Sequence, residues 1–242
     1  MKKKDLILIS SAKKILWLYL CTFLGLFFFI LISLKTKIPI EIFLKDPALV
    51  AGSNGLINSG LNFSINPLVG AVSNIGILLW CISATISFLG FLILKKNGKK
   101  NESGSFLFYS GILTSTLLVD DLFLVHEAIA PKLLKINQEI VYLFLGIATA
   151  LWLLKFRKTI LRTDYIPLVL AFIFFGLSIV FDRIIDWSAI NLASFQIEIF
   201  EDGSKLFGIV SWMAYFFNVF FREIDSLLLS CSNRTSAKVG LV

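Results

Sequence analysis

The chain has 242 residues, of which 57% are hydrophobic and only 16% are charged. Soluble globular domains average about 45–50% apolar and about 25% charged residues, so this composition excludes an ordinary soluble protein. The formal net charge of +7 would suit a nucleic-acid-binding protein, but the basic residues lie between apolar runs that are too long for a soluble core. We therefore expect an integral membrane protein whose partner is the lipid bilayer, with no nucleic acid.

Six apolar runs are long enough to cross a membrane, since a bilayer core about 30 Å thick requires about 20 helical residues. They cover residues 15–34, 68–94, 105–130, 138–154, 167–186 and 201–221. The predicted fold class is thus all-α, a polytopic membrane bundle of six transmembrane helices. We predict that this transmembrane domain occupies residues 1–222 and that residues 223–242 form a flexible tail.

The basic residues alternate between the two sides of these spans. Sixteen of the 23 lie at the amino terminus, after the second and fourth spans, or in the tail. Cytoplasmic loops of membrane proteins carry an excess of Lys and Arg. The pattern predicts cytoplasmic amino and carboxyl termini in a multi-pass protein of a bacterial-type inner or plasma membrane. It places the longest connection, residues 35–67, on the outer side.

The acidic residues gather on three spans. Of the sixteen in the chain, eight fall in or just above the outer halves of spans three, five and six. These are Asp120, Asp121, Glu127, Asp182, Asp186, Glu198, Glu201 and Asp202. The single histidine, His126, lies among them. An ionisable residue inside a membrane costs at least about 2.5–3.5 kcal/mol and normally faces the interior of the bundle. The concentration predicts an acidic pocket that opens outward.

Helical geometry predicts one polar stripe on each of these spans. At 100° per residue, Asp120 and Glu127 nearly eclipse each other, whereas His126 points about 120° away from Asp120. Asp182 and Asp186, four residues apart, share a face of span five. In span six, one side of the helix contains Glu198, Glu201, Asp202, Lys205 and Trp212.

A bound divalent cation would relieve the repulsion among so many carboxylates, because nearby like charges disfavour ionisation. Only two bases, Arg183 and Lys205, accompany the eight acids. The predicted metal ligands are Asp120, Asp121, Glu127, Asp182, Glu201 and Asp202, with His126, Asp186, Lys205, Arg183 and Trp212 in supporting positions. Carboxylates suit Mg²⁺, Ca²⁺ or Mn²⁺, and iron or zinc would require His126 to turn inward.

Three other function classes stay open at this point. The carboxylates suit a metal- or acid–base-dependent enzyme that acts on a lipid-type substrate. They equally suit a proton or cation transporter, although neither an internal repeat nor a broken helix is evident in the sequence. A membrane assembly subunit would use the same acids as a static network. His126 and Glu127 begin a zinc-protease motif whose second histidine is absent.

Overall fold

The structure is a computed structural model that describes the backbone of residues 3–46, 67–98, 102–187 and 194–239. Side chains are described over 15–46, 67–98, 102–182 and 198–230. These ranges form helices and contain no strand, so the predicted all-α class is confirmed. The helices are α1 (Lys3–Thr36), α2 (Glu41–Leu44), α3 (Ala71–Lys96), α4 (Glu102–Leu122), a π-helical segment (Val125–Leu133), α5 (Gln138–Leu161), α6 (Ile166–Trp187) and α7 (Ser194–Val239).

Four of these helices are long and apolar enough to cross a membrane: Ile15–Thr36 within α1, all of α3, all of α5, and Glu198–Ser230 within α7. A fifth candidate consists of α4 and the π-helical segment, which are bent by 63° at a short break. The part of α6 whose side chains are described, Ile166–Asp182, is also apolar but shorter, and the helix itself continues to Trp187. The described residues thus form a membrane-embedded helical protein with four to five candidate spans, whereas the sequence predicts six.

The last helix continues beyond the predicted end of the transmembrane domain. We predict a flexible tail from residue 223, but α7 extends to Val239. Val219, Glu223 and Leu227 are buried at intervals of four residues. Because residues four apart share one face of an α-helix, the packed face of α7 continues past residue 222.

The chain divides into two compact units. Unit 1 comprises Met1–Leu79 and Pro167–Trp212, and unit 2 comprises Trp80–Ile166 and Met213–Val242. The core of unit 1 surrounds the short helix α2, whose Phe43 packs with Phe29, Val72 and Leu206. The core of unit 2 contains Phe106, which is fully buried. Its ring centroid lies 5.4–6.4 Å from those of Trp152, Phe156, Tyr215 and Phe216.

A glycine in unit 1 allows α6 and α7 to pack closely. A Cβ atom built on Gly208 would lie only 2.6 Å from the ring of Phe175. We therefore expect Gly208→Ala to destabilise the protein by about 1–3 kcal/mol, the usual cost of overpacking a core. Thermal unfolding in detergent measures this loss. Gly176→Ala is the matched control, because a Cβ atom there meets nothing within 4 Å. Equal melting temperatures for the two variants would contradict this packing.

Candidate functional site

His126 lies between two carboxylates in unit 2. Its Nδ1 atom is 2.7 Å from Oδ2 of Asp120, and its Nε2 atom is 3.1 Å from Oε1 of Glu127. Asp120 and His126 are buried, whereas 30% of the Glu127 side chain is exposed. We call these three residues the His126 triad. A neutral imidazole has one N–H donor, whereas an imidazolium ion donates from both nitrogens. Only the positively charged ring can therefore donate a hydrogen bond to each carboxylate.

A break in the third apolar run builds this triad. The α-helix α4 ends at Leu122, and Leu124 adopts a left-handed backbone conformation with φ of 51°. Such a conformation in a bulky residue other than glycine costs of order 1–3 kcal/mol and is concentrated at functional sites. The π-helical segment that follows is also typical of functional sites. Leu124 lies two residues before His126, and the π-helical segment contains His126.

Asp120 binds the two sides of this break together. Its Oδ2 atom contacts the His126 ring, and its Oδ1 atom accepts a hydrogen bond of 3.2 Å from the backbone N–H of His126. One carboxylate thus satisfies a ring nitrogen and a backbone donor at the start of the π-helical segment. The conformation of the break and the charge of the triad are consequently linked.

The helical-wheel prediction for these residues is wrong. It places Asp120 and Glu127 on one face and His126 about 120° away from Asp120, because it assumes a regular helix of 3.6 residues per turn. The chain leaves that geometry at Leu124. The His126 ring consequently turns to Asp120, and the two carboxylates contact opposite nitrogens of the ring.

Tyr142 of α5 is a neighbour of the triad that the sequence analysis does not identify. Its ring centroid lies 4.8 Å from that of His126, with 39° between the planes. The contact between the Tyr142 and His126 rings joins two helices, so no periodicity within one helix reveals it.

Asp121, which the sequence predicts as a metal ligand, is also buried in unit 2.

A second polar cluster lies in unit 1. The Nζ atom of Lys45, directly after α2, is 2.6 Å from Oε1 of Glu198 in the first turns of α7. Glu198 is 8% exposed, and its Oε2 atom is buried without a hydrogen-bond partner in the described part of the chain. Asp202 and Glu41 also interact electrostatically with Lys45. We call these four residues the Lys45 cluster.

Charge and burial shift two pKa values in this cluster. Burial lowers the pKa of Lys45, but the hydrogen bond and charge of Glu198 outweigh it and hold the pKa above its ordinary value. Burial and the negative charge of Glu198 raise the pKa of Glu41, against the opposing effect of Lys45. The folded protein thus favours the ammonium form of Lys45 and the protonated form of Glu41 more than the unfolded chain does.

The raised pKa of Glu41 predicts a pH dependence of stability. Since the folded state binds this proton more tightly than the unfolded state, its contribution is fully present below pH 4.5 and is lost as the pH rises through the folded pKa. Glu41→Gln, which imitates the protonated form, should raise the melting temperature at pH 7.5 and leave it nearly unchanged at pH 4. The exposed Glu102 supplies the control variant Glu102→Gln. A lower melting temperature for Glu41→Gln at pH 7.5 would contradict the predicted sign.

The other predicted site residues belong to unit 1. Asp182, Glu201, Asp202 and Lys205 are half-buried, and each has an interaction partner. Trp212 is buried against the rings of Phe172 and Phe175. The side chains of Arg183 and Asp186 lie outside the described residues. Within the ranges given above, no group of three or more His, Cys, Asp or Glu residues is arranged to hold a metal ion.

Comparison with known proteins identifies the family. Residues 15–219 match the model of a family described as "Domain of unknown function (DUF8692)", so the chain belongs to that family. The matched region includes the His126 triad and the Lys45 cluster. No curated protein and no solved structure matches the chain.

Proposed function

We propose that this protein binds a cation at the break in its third apolar run, and that it acts as a cation-coupled carrier. The observation that carries the proposal is the position of His126 between Asp120 and Glu127. In the described geometry, the cation is the proton that gives the imidazole ring its second N–H group. Asp120 and Glu127 are the carboxylates that stabilise it.

The broken helix favours a carrier over the other function classes. Buried charges in a membrane protein are expensive and commonly belong to ion or proton pathways. Many transporters place their binding sites where a helix is interrupted. No such interruption is evident in the sequence, but the structure has a 63° bend before His126.

An enzyme that acts on lipid receives less support from the same geometry. A histidine oriented by an aspartate through Nδ1 acts as a general base through a free Nε2 atom. Here Nε2 is held by Glu127 at 3.1 Å. Because that contact would have to break before His126 accepted a proton from a substrate, the geometry suits proton binding better than base catalysis.

A divalent metal is a further proposal for the same carboxylates. These side chains are not arranged as a metal site in the described part of the chain, so they would have to move together to bind one. Asp120, Asp121 and Glu127 would then supply oxygen ligands for Mg²⁺, Ca²⁺ or Mn²⁺, and a neutral His126 would add the nitrogen that iron or zinc prefers. The metal would have to displace the proton of His126, since histidine coordinates only in its deprotonated form. Elemental mass spectrometry of protein purified at pH 6 and pH 8 tests this idea. Stoichiometric metal at pH 8 that Glu127→Gln removes would support it, and protein without metal at both values would contradict it.

Proton movement in proteoliposomes tests the carrier. Protein reconstituted with an enclosed pH-sensitive dye would be given an inward gradient of Na⁺, K⁺ or Ca²⁺ in turn. We expect one of these gradients to drive proton efflux, and we expect Glu127→Gln to reduce the rate at least tenfold. Asp225→Asn, at an exposed position of α7, is the control. Absence of coupled proton movement with all three cations would contradict the carrier.

The membrane topology is proposed on the charge pattern. We propose six spans with both termini cytoplasmic in a bacterial-type inner or plasma membrane, because basic residues dominate alternate connections. A carboxyl-terminal fusion to green fluorescent protein should be fluorescent, and the same fusion to alkaline phosphatase should be inactive. The opposite pair of results would reverse the orientation.

A further inference from the structure

A short connecting segment of unit 1 is unusually well buried. The segment of residues 37–45, which we call the α2 strap, contains the four-residue helix α2 and ends at Lys45. Ile40, Ile42, Phe43 and Leu44 are each at most 3% exposed. The strap is also tied to the chain before α3, since the backbone N–H of Gly70 donates to the carbonyl of Ile42 over 2.8 Å.

The strap packs against α7 at two places. Phe43 belongs to the core cluster that includes Leu206 of α7. One residue after α2, Lys45 forms its ion pair with Glu198, which is also on α7. Because Glu198 and Leu206 are eight residues apart, they lie about 80° apart around that helix, on one side of it. The strap thus covers one face of the beginning of α7.

The two partners of the Lys45–Glu198 ion pair differ in their exposure. Glu198 is 8% exposed, whereas 38% of the Lys45 side chain is exposed. The Lys45 side chain is therefore partly exposed, whereas the Glu198 side chain, at 11% exposure, is nearly covered. The cluster contains three acidic groups to one lysine, and the second oxygen of Glu198 has no hydrogen-bond partner among the described residues. A buried carboxylate of this kind requires a cation close by.

We propose that the α2 strap is a cover over the buried end of α7, and that the Lys45–Glu198 ion pair is the latch that holds it closed. A small external cation that binds the Glu198 carboxylate in place of Lys45 releases the strap. The bound cation then replaces the ammonium group as the counter-ion of the carboxylate. This inference is independent of the carrier, because it concerns residues of unit 1 alone.

The reactivity of a buried cysteine measures whether the strap is closed. Phe43→Cys, made in a protein whose Cys21, Cys81 and Cys231 have been replaced, places a thiol at a fully buried strap position. We expect slow modification by a charged methanethiosulfonate reagent in the otherwise unchanged protein. Lys45→Met should accelerate the modification about tenfold or more, because the strap loses its latch. Glu198→Gln should have a similar effect, and Lys35→Met, at an exposed position of α1, should have none.

A second cysteine separates opening of the strap from loosening of the whole unit. Ala171 of α6 is fully buried in the same unit. Ala171→Cys should stay unreactive in the Lys45→Met protein, and equal acceleration at both positions would overturn the latch. If Phe43→Cys itself loosens the core, Leu44→Cys supplies a second reporter on the strap. Unchanged reactivity of both strap reporters in Lys45→Met would also overturn the proposal.

Calcium tests the release by a competing cation. Increasing CaCl₂ should accelerate modification of the Phe43→Cys protein with a saturable dependence. Choline chloride at matched ionic strength should not, because its bulky cation cannot reach Glu198. In the Lys45→Met protein, whose latch is already open, calcium should have no accelerating effect. A rate that follows ionic strength alone would overturn the release by competition.

Discussion

Asp120→Asn is expected to destabilise the protein by about 3 kcal/mol and to abolish cation binding at His126. The variant keeps the shape of the side chain but removes the charge that faces Nδ1 of the ring at 2.7 Å. It also weakens the hydrogen bond that Asp120 accepts from the backbone of His126. The variant leaves the buried ring with only the partly exposed Glu127 as its counter-charge, and weakening a buried pair in this way is costly.

Thermal unfolding and hydrogen exchange distinguish a global loss of stability from local opening of the segment after the break. The melting temperature reports the global loss, and amide exchange over Val125–Leu133 reports whether the segment after the break opens first. Asp225→Asn removes the same charge from an exposed position and should leave both measurements unchanged. A parental melting temperature together with parental exchange in Asp120→Asn would show that the carboxylate does not hold the break.

Trp212→Ala is expected to cost about 3–5 kcal/mol of stability, the usual loss for removing a large buried aromatic side chain. Trp212 is 1% exposed, and its ring lies 6.0 Å from that of Phe172 and 6.4 Å from that of Phe175. In the metal site that the sequence predicts, this tryptophan has a supporting position. Its ring contacts assign it to the packing of α6 against α7.

Two variants distinguish packing from participation in a polar site. Trp212→Phe should recover most of the melting temperature, because a smaller ring still fills much of the space. Trp17→Ala is the matched control, since Trp17 belongs to the same unit but is 65% exposed. Equal melting temperatures for Trp17→Ala and Trp212→Ala would contradict the packing role.

Apolar length predicts the helices well, but it does not predict the break. Residues Leu122, Phe123, Leu124 and Val125 are all apolar, and neither glycine nor proline marks the site of the bend. The proline of the π-helical segment, Pro131, comes six residues after Val125. A left-handed leucine has no sequence signal, because tertiary contacts must impose that conformation on it.

The residues of the triad belong to the larger acidic group that the sequence predicts, but their geometry is not predicted. Membrane depth singles out Asp120, Asp121 and Glu127, whose charges are costly there, and His126 lies among them. The predicted angles between these residues assume a regular helix, so they are wrong where the helix breaks. Lys45 was counted only as a loop residue, because its partner Glu198 is 153 positions away in the sequence. Periodicity relates residues within one element and cannot identify such a pair.

The triad also makes the protein suitable for nuclear magnetic resonance. His126 is the single histidine of the chain. Protein labelled with ¹⁵N only in histidine therefore yields one pair of ring-nitrogen signals, which need no assignment by mutagenesis. Because Nδ1 and Nε2 face different carboxylates at 2.7 Å and 3.1 Å, the two signals should be distinct, and each should respond separately to Asp120→Asn and Glu127→Gln. A single isotope label thus reports on the candidate site in detergent or in lipid, because no other side chain carries the label.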